Sequence, residues 1–287
     1  MKDDSLWFIV LLGIVAVGLF GGFKNATNGG TVIDLNPDTV TQDSTTGQAE
    51  SDRVKARIKE EVAKTQSQYK GIVTLSSVNR STDPTQEYIT IRVSNSAKEN
   101  ILVTGWTLKS LNTGVSTSIP KGTYLYFTGI ANTEDNVVLA PGDTVYLVTG
   151  ISPNGASFKI NKCSGYLTQF QTFTPYINTS CPAPKNEDLS SIPKTVINDA
   201  CLDYINGMSQ CRIRTETFPA NWSYECTNFI SNKINYPSCI NNHRNDSDFY
   251  QNEWRVYLKR SSSLWKTERE AMVLYDNDGK VVDTLQY

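Results

Sequence analysis

The hydrophobic pattern changes character several times along the chain. Leu6–Phe23 reads LWFIVLLGIVAVGLFGGF, with no charged position. As a helix at about 1.5 Å per residue it spans roughly 27 Å, close to the hydrocarbon thickness of a bilayer. A helix apolar on every face predicts a membrane span rather than a core helix. Residues 24–50 then alternate Thr, Asn, Gly, Gln and Asp with few large apolar groups. Such a segment buries too little surface to offset the entropy of ordering it, and it predicts a flexible tether. In residues 51–70, Val54, Ile58, Val62 and Tyr69 fall near one helical face, with opposite charges four apart at Arg57–Glu61 and Glu60–Lys64. This predicts a short charged helix with Ser51 as N-cap and Gly71 as its stop.

From Gly71 the period switches to two. Ile72–Leu75, Tyr88–Val93 and Leu102–Leu108 are β-branched and aromatic, separated by turn-rich clusters. Further strands are predicted at Val115–Ile119, Tyr124–Thr128, Val137–Leu139 and Thr144–Val148, with Pro141-Gly142-Asp143 as a turn. The same texture returns at Trp254–Leu258, Ala271–Tyr275 and Lys280–Leu285. The last two are joined by Asp276-Asn277-Asp278-Gly279, a hairpin turn by composition. Many short strands with regular turns predict a sandwich or barrel.

Residues 151–251 interrupt that texture and hold all six cysteines, Cys163, Cys181, Cys201, Cys211, Cys226 and Cys239. Thr195–Met208 and Asn221–Ile234 read as helices. The shortest cysteine spacing, Cys201 to Cys211, is too wide for the close pairs of structural zinc. An even set beyond a membrane segment predicts disulfides in an oxidising compartment. Cys163 and Cys181 flank the aromatic run Tyr166–Tyr176 and are expected to pair. Antiparallel helices would join Cys211 to Cys226 and Cys201 to Cys239; a sequential scheme would join Cys201 to Cys211 and Cys226 to Cys239. Both schemes stay open.

Charge and candidate chemistry narrow the functional classes. Lys+Arg is 27 and Asp+Glu 29, a net charge of −2, which argues against a nucleic-acid binder held by bulk charge. The one histidine, His243, excludes a multi-histidine metal centre within one chain, and in Asn241–Asn245 it reads as a surface-loop residue. Asp276–Gly279 and Asp246-Ser247-Asp248 begin like calcium loops but lack the later glutamate, so turns are expected. Asn25, Asn79, Asn178, Asn221 and Asn245 open Asn-x-Ser/Thr triplets, which matter only in a cell that glycosylates such proteins. No Gly-rich phosphate loop, G-x-S-x-G elbow or H-E-x-x-H occurs. No catalytic, cofactor-binding or metal residue is assigned.

Glu87–Ile91, Thr104-Gly105-Trp106-Thr107-Leu108, Ile119-Pro120, Leu139–Asp143 and the closing Val273–Asp283 resemble, in this order, the lamin-tail domain. That family is an immunoglobulin-like β-sandwich of nuclear lamins and of bacterial surface and secreted proteins. The resemblance covers about residues 70–150 and 252–287. It implies a mainly β fold, with a lamin-tail-like sandwich over 71–150 and 252–287, and a disulfide-bonded, partly helical insert over 151–251. Trp106 is expected in the sandwich core rather than in a ligand-stacking role.

The expectation is a single-pass membrane protein: residues 1–5 inside, 6–23 the anchor, 24–50 a tether, 51–70 the charged helix, and the rest extracytoplasmic. Lys2 and Lys24 barely separate the two ends, so orientation rests on the cysteines. The single basic residue at the start and the absence of an A-x-A site favour an uncleaved anchor over a cleaved signal peptide. The function expected is non-enzymatic binding, adhesion or envelope scaffolding toward an extracellular protein or glycan, with no nucleic acid and no cofactor. The alternatives are an envelope hydrolase using paired carboxylates on glycan or peptide, and a cleaved, secreted binding protein.

Overall fold

Inward-pointing aliphatic residues on alternating positions organise two main sheets around one shared core. The computed structural model describes residues 65–193, 199–268 and 270–287. These belong to a unit running from Ala56 to Tyr287; the preceding unit, Met1–Lys55, is outside the description. The expected anchor 6–23, tether 24–50 and helix segment 51–64 therefore lie outside the described residues. Among the described residues, no helix is long and apolar enough to cross a membrane.

The chain is mainly β, with helices and three disulfides. The strands are β1 Val73–Asn79, β2 Tyr88–Val93, β3 Ile101–Leu102, β4 Thr107–Ser110, β5 Ser116–Ser118, β6 Val138–Leu139, β7 Thr144–Val148, β8 Phe158–Asn161, β9 Tyr250–Tyr257, β10 Ala271–Tyr275 and β11 Val281–Gln286. One sheet has the order β1-β2-β7-β9-β8, the second β11-β10-β4-β5, and β3 pairs with β6.

Register explains the core. Leu75 faces Ile91, Ile91 faces Val145 and Val145 faces Trp254, so one row of buried apolar side chains crosses four strands. Leu274 faces Leu108 in the second sheet. Side chains of both sheets meet in one cluster that includes Trp106, 1% exposed. Each such buried large side chain contributes about 1.5–3 kcal/mol. The sheets are also stitched by the Leu75 N–H, which donates to Asp283 Oδ2 at 2.7 Å.

β9 lies between β7 and β8, parallel to the first and antiparallel to the second. Parallel neighbours need a crossover of a dozen or more residues. The residues after β8 supply it, and they fold as an extension of the domain. Here α1 is Asp199–Gly207, α2 Tyr224–Lys233 and α3 Tyr236–His243. A second cluster packs this extension on β8 and β9 through Phe158, Ile160, Phe173, Tyr236, Ile240 and Tyr257. A third lies between α1 and α2, around Ile205, Phe229 and Ile230.

Several expectations are corrected. Tyr124–Thr128 is not a strand. The Asn132 carboxamide accepts from the Phe127 N–H at 2.7 Å and donates to the Phe127 carbonyl at 2.9 Å, taking the groups a ladder would use. Leu102–Leu108 is not one strand: Gly105 at φ +89° turns the chain between β3 and β4. Residues 66–70 are not helical. They form a turn in which Gln66 bridges Val281 and the Ser67 N–H donates to the Val281 carbonyl, so sheet pairing replaces the last helical turn. Phe158–Asn161, expected in the insert, is sheet strand β8, so the extension begins after it.

All six cysteines are paired, but not as expected. The bonds are Cys163–Cys239, Cys181–Cys211 and Cys201–Cys226. The unforeseen third helix is the reason. α3 lays Tyr236, Cys239 and Ile240 into the cluster on β8, which brings Cys239 to Cys163. Cys201 on α1 then meets Cys226 on α2, and the loop cysteines Cys181 and Cys211 are left for each other.

Candidate ligand-binding cleft

The extension presents an open cleft of about 550 Å³ beside α1. Its walls include Gln169, Asp203, Tyr204, Arg212, Arg214 and Glu216. Local chemistry fixes both sides. On one side α1 carries Tyr204 and is tied to α2 by Cys201–Cys226. The α2 start is capped by Ser223, whose Oγ accepts from the Cys226 N–H at 3.2 Å. On the other side, Cys181–Cys211 anchors the loop, and Cys211 itself takes φ +58°. The Gln169 carboxamide then clamps Ile213, accepting from its N–H at 2.8 Å and donating to its carbonyl at 3.0 Å.

Between these anchors Arg214 is held among three aromatic rings. Its guanidinium carbon stands 4.7 Å from the Tyr204 centroid, 5.0 Å from Phe218 and 5.7 Å from Trp222. Tyr204 and Trp222 also meet at 5.0 Å in an edge arrangement. The guanidinium donates through Nε to the Glu216 carbonyl at 3.2 Å and through Nη2 to the Thr217 carbonyl at 2.7 Å. Partly desolvated cation–π contacts of this kind contribute about 1–2 kcal/mol each. The result is a rigid rim of aromatic ring, guanidinium and carboxamide. Arg212, Asp203 and Glu216 stand exposed beside it. This rim can stack one face of a planar or CH-rich ligand and hydrogen-bond its polar edge.

The residues singled out in the sequence lie elsewhere. His243 is not in a loop but ends α3, with its side chain 23% exposed. Its Nδ1 lies 2.8 Å from Asp246 Oδ2 and its Nε2 3.1 Å from Glu187 Oε1. Burial of the ring works against its charge, yet the bonds to Asp246 and Glu187 prevail and raise its pKa above the usual 6.5. Lys162 joins the group, bonding Asp246 and Asp248, and Asn242 donates to Glu187 Oε2 at 2.8 Å. Asp246 is held below the usual carboxylate range, first by the His243 hydrogen bond and then by Lys162. These carboxylates are engaged in a brace that joins the chain after β8, the Glu187 loop and the end of α3.

Asp276–Gly279 is the β10–β11 turn. The Asp276 carboxylate accepts from the N–H groups of Asp278 at 3.0 Å and Lys280 at 2.9 Å. Among the described residues, no group of three or more His, Cys, Asp or Glu side chains could hold a metal ion. The described triplet asparagines, Asn79, Asn178, Asn221 and Asn245, are all exposed.

Arg214, Gln169 and the three rings were not foreseen. The spacing Arg214, Phe218, Trp222 is visible in the sequence, but it carries no signal without Tyr204 brought alongside by the disulfide. In comparisons by sequence, no family model matches the chain and no curated protein matches it.

Proposed function

We propose that this is a membrane-tethered, extracytoplasmic, non-enzymatic binding protein. In this reading a lamin-tail-like, immunoglobulin-like sandwich over 71–150 and 252–287 is the scaffold. The disulfide-bonded extension is the recognition surface, and residues 6–23 are the anchor. The observation that carries the reading is the cleft beside α1, whose rim of Tyr204, Arg214 and Gln169 is immobilised from both sides by disulfides. A recognition surface benefits from such preorganisation, because ordering cost is met in folding rather than in binding. Three disulfides support an oxidising compartment. The mixture of an aromatic face with hydrogen-bonding side chains of both charges suits a glycan.

One observation favours the hydrolase alternative: Asp203 and Glu216 line the same cleft. A glycosidase acid, however, works from a buried, apolar position, and both of these side chains are exposed.

Two measurements test the proposal. Protease or impermeant-label accessibility on intact cells should place the extension outside; protection of the extension in intact cells, with exposure after lysis, overturns the topology. Glycan-array binding by the purified protein should fall at least tenfold in the Tyr204→Ala variant, with folding unchanged by near-UV circular dichroism. Equal binding by the variant removes the cleft as the recognition site, and release of reducing ends from a bound glycan supports the hydrolase.

A further inference from the structure

A lysine and an aspartate are enclosed together where the turn before β7 approaches β8. Asp143 closes the Pro141-Gly142-Asp143 turn and is fully buried. Its Oδ2 accepts from Lys159 Nζ at 2.8 Å and from the Ala140 N–H at 3.0 Å. Its Oδ1 is buried and has no hydrogen-bond partner. Lys159, on β8, is 8% exposed, and its Nζ stands 5.6 Å from the ring centroid of Trp254. Trp254 is itself fully buried on β9, and Tyr124 meets its ring edge-on at 4.8 Å.

Burying this ion pair carries a desolvation cost. A buried ion pair is compensated only when the remaining lone pairs are satisfied, and Oδ1 is not. The ammonium and the carboxylate are held in contact in a water-poor site. Fixed proximity of this kind replaces a large part of the barrier to a two-body reaction.

We propose that Lys159 and Asp143 condense to an intramolecular amide cross-link. Lys159 Nζ attacks Asp143 Cγ and forms the C–N bond. The Cγ–Oδ1 bond breaks, and Oδ1 leaves as water with two of the three protons of the Lys159 ammonium group, the third staying on the amide nitrogen. Oδ2 becomes the amide carbonyl and keeps the bond from the Ala140 N–H. No oxidant or reductant is consumed. The oxygen that departs is the one without a partner, so the reaction removes the unsatisfied group along with both charges. The link would span β9, joining the chain on either side of that strand, and would survive reduction of the disulfides.

The test uses the full chain, purified in detergent, reduced, alkylated and digested with trypsin. Without the link, trypsin cuts after Lys159 and releases a peptide covering 122–159 at full mass. With the link, Lys159 resists trypsin, and a peptide covering 122–162 is recovered lighter by one water, with fragment ions missing between 143 and 159. The K159R variant keeps a cation but should release the 122–159 peptide at full mass. Recovery of that peptide at full mass from the wild type shows that the pair remains an ion pair and overturns the proposal. The wild-type digest decides the question even if the variant fails to fold.

Discussion

Arg255→Met is the sharpest probe of how the extension is held to the sheet. Arg255 is on β9, pointing away from the core that Trp254 and Val256 enter, and is only 2% exposed. Its guanidinium lies 4.5 Å from the Tyr146 ring centroid. It bonds Glu253 Oε1 through Nε at 2.8 Å, and it donates to the backbone carbonyls of Pro175 and, at 3.0 Å, Tyr176. Methionine keeps most of the stem volume and removes every donor. Each hydrogen bond from a charged donor contributes about 1.5–3 kcal/mol, and a carbonyl left dry adds its own penalty. The stack on Tyr146 adds about 0.5–2 kcal/mol. The Glu253 pair adds little, since that carboxylate is 29% exposed and turns to water. Allowing for overlap among these effects, the expected loss is about 3–5 kcal/mol. Denaturant unfolding with disulfides intact measures it, and hydrogen exchange should show the amides of 173–177 released first. Arg255→Lys, a point donor without the fork, should fall between the two. A loss below about 1 kcal/mol with unchanged exchange at 173–177 would refute the idea that these carbonyls dock the extension.

Three further outcomes are expected. Replacing Cys201 and Cys226 together by Ser opens a bridge of 25-residue separation and should cost about 3.5 kcal/mol by loop entropy. Glycan binding should drop while the β signal in circular dichroism persists. His243, with its raised pKa, contributes stability that is full below its unfolded value near 6.5 and is lost as pH rises through the higher folded value. Unfolding free energy measured from pH 5 to 8 should thus converge on that of His243→Gln at the alkaline end, and parallel profiles would rule out the Glu187–Asp246 brace. Trp106→Ala, at a core position 1% exposed, should cost about 3–5 kcal/mol by denaturant titration, and a loss within experimental error would remove Trp106 from the core.

Much of the sheet was legible because its signal is local. β2 carries β-branched Ile89, Ile91 and Val93 at alternating positions, β7 alternates buried Val145 and Leu147 with half-buried neighbours, and Pro141-Gly142-Asp143 and Asp276–Gly279 are turns whose residue types suit the backbone they need. Trp106 was expected in the core and is there. The failures are cases where a distant or competing group decided. Tyr124–Thr128 has strand composition, but one carboxamide from Asn132 takes the Phe127 backbone groups. Phe158–Asn161 is too short to stand out until β9 returns beside it.

The sequence by itself determined that the chain is mainly β, where most of its inward rows lie, and that six cysteines sit in one interrupted stretch. Period-two patterning and turn chemistry act over a few residues, so they can be read without partners. Tertiary structure alone decided the pairing of those cysteines, the parallel seat of β9 between β7 and β8, and the cleft. The disulfide partners follow from where α3 docks, 76 residues from Cys163 to Cys239. Arg255 looks in the sequence like a solvated strand residue, and only the folded extension makes it a buried clamp. Tyr204 and Arg214 come together at the cleft only when the Cys201–Cys226 and Cys181–Cys211 bonds hold their segments in place. Long-range contacts depend on the sum of all packing surfaces, and no local pattern encodes that sum.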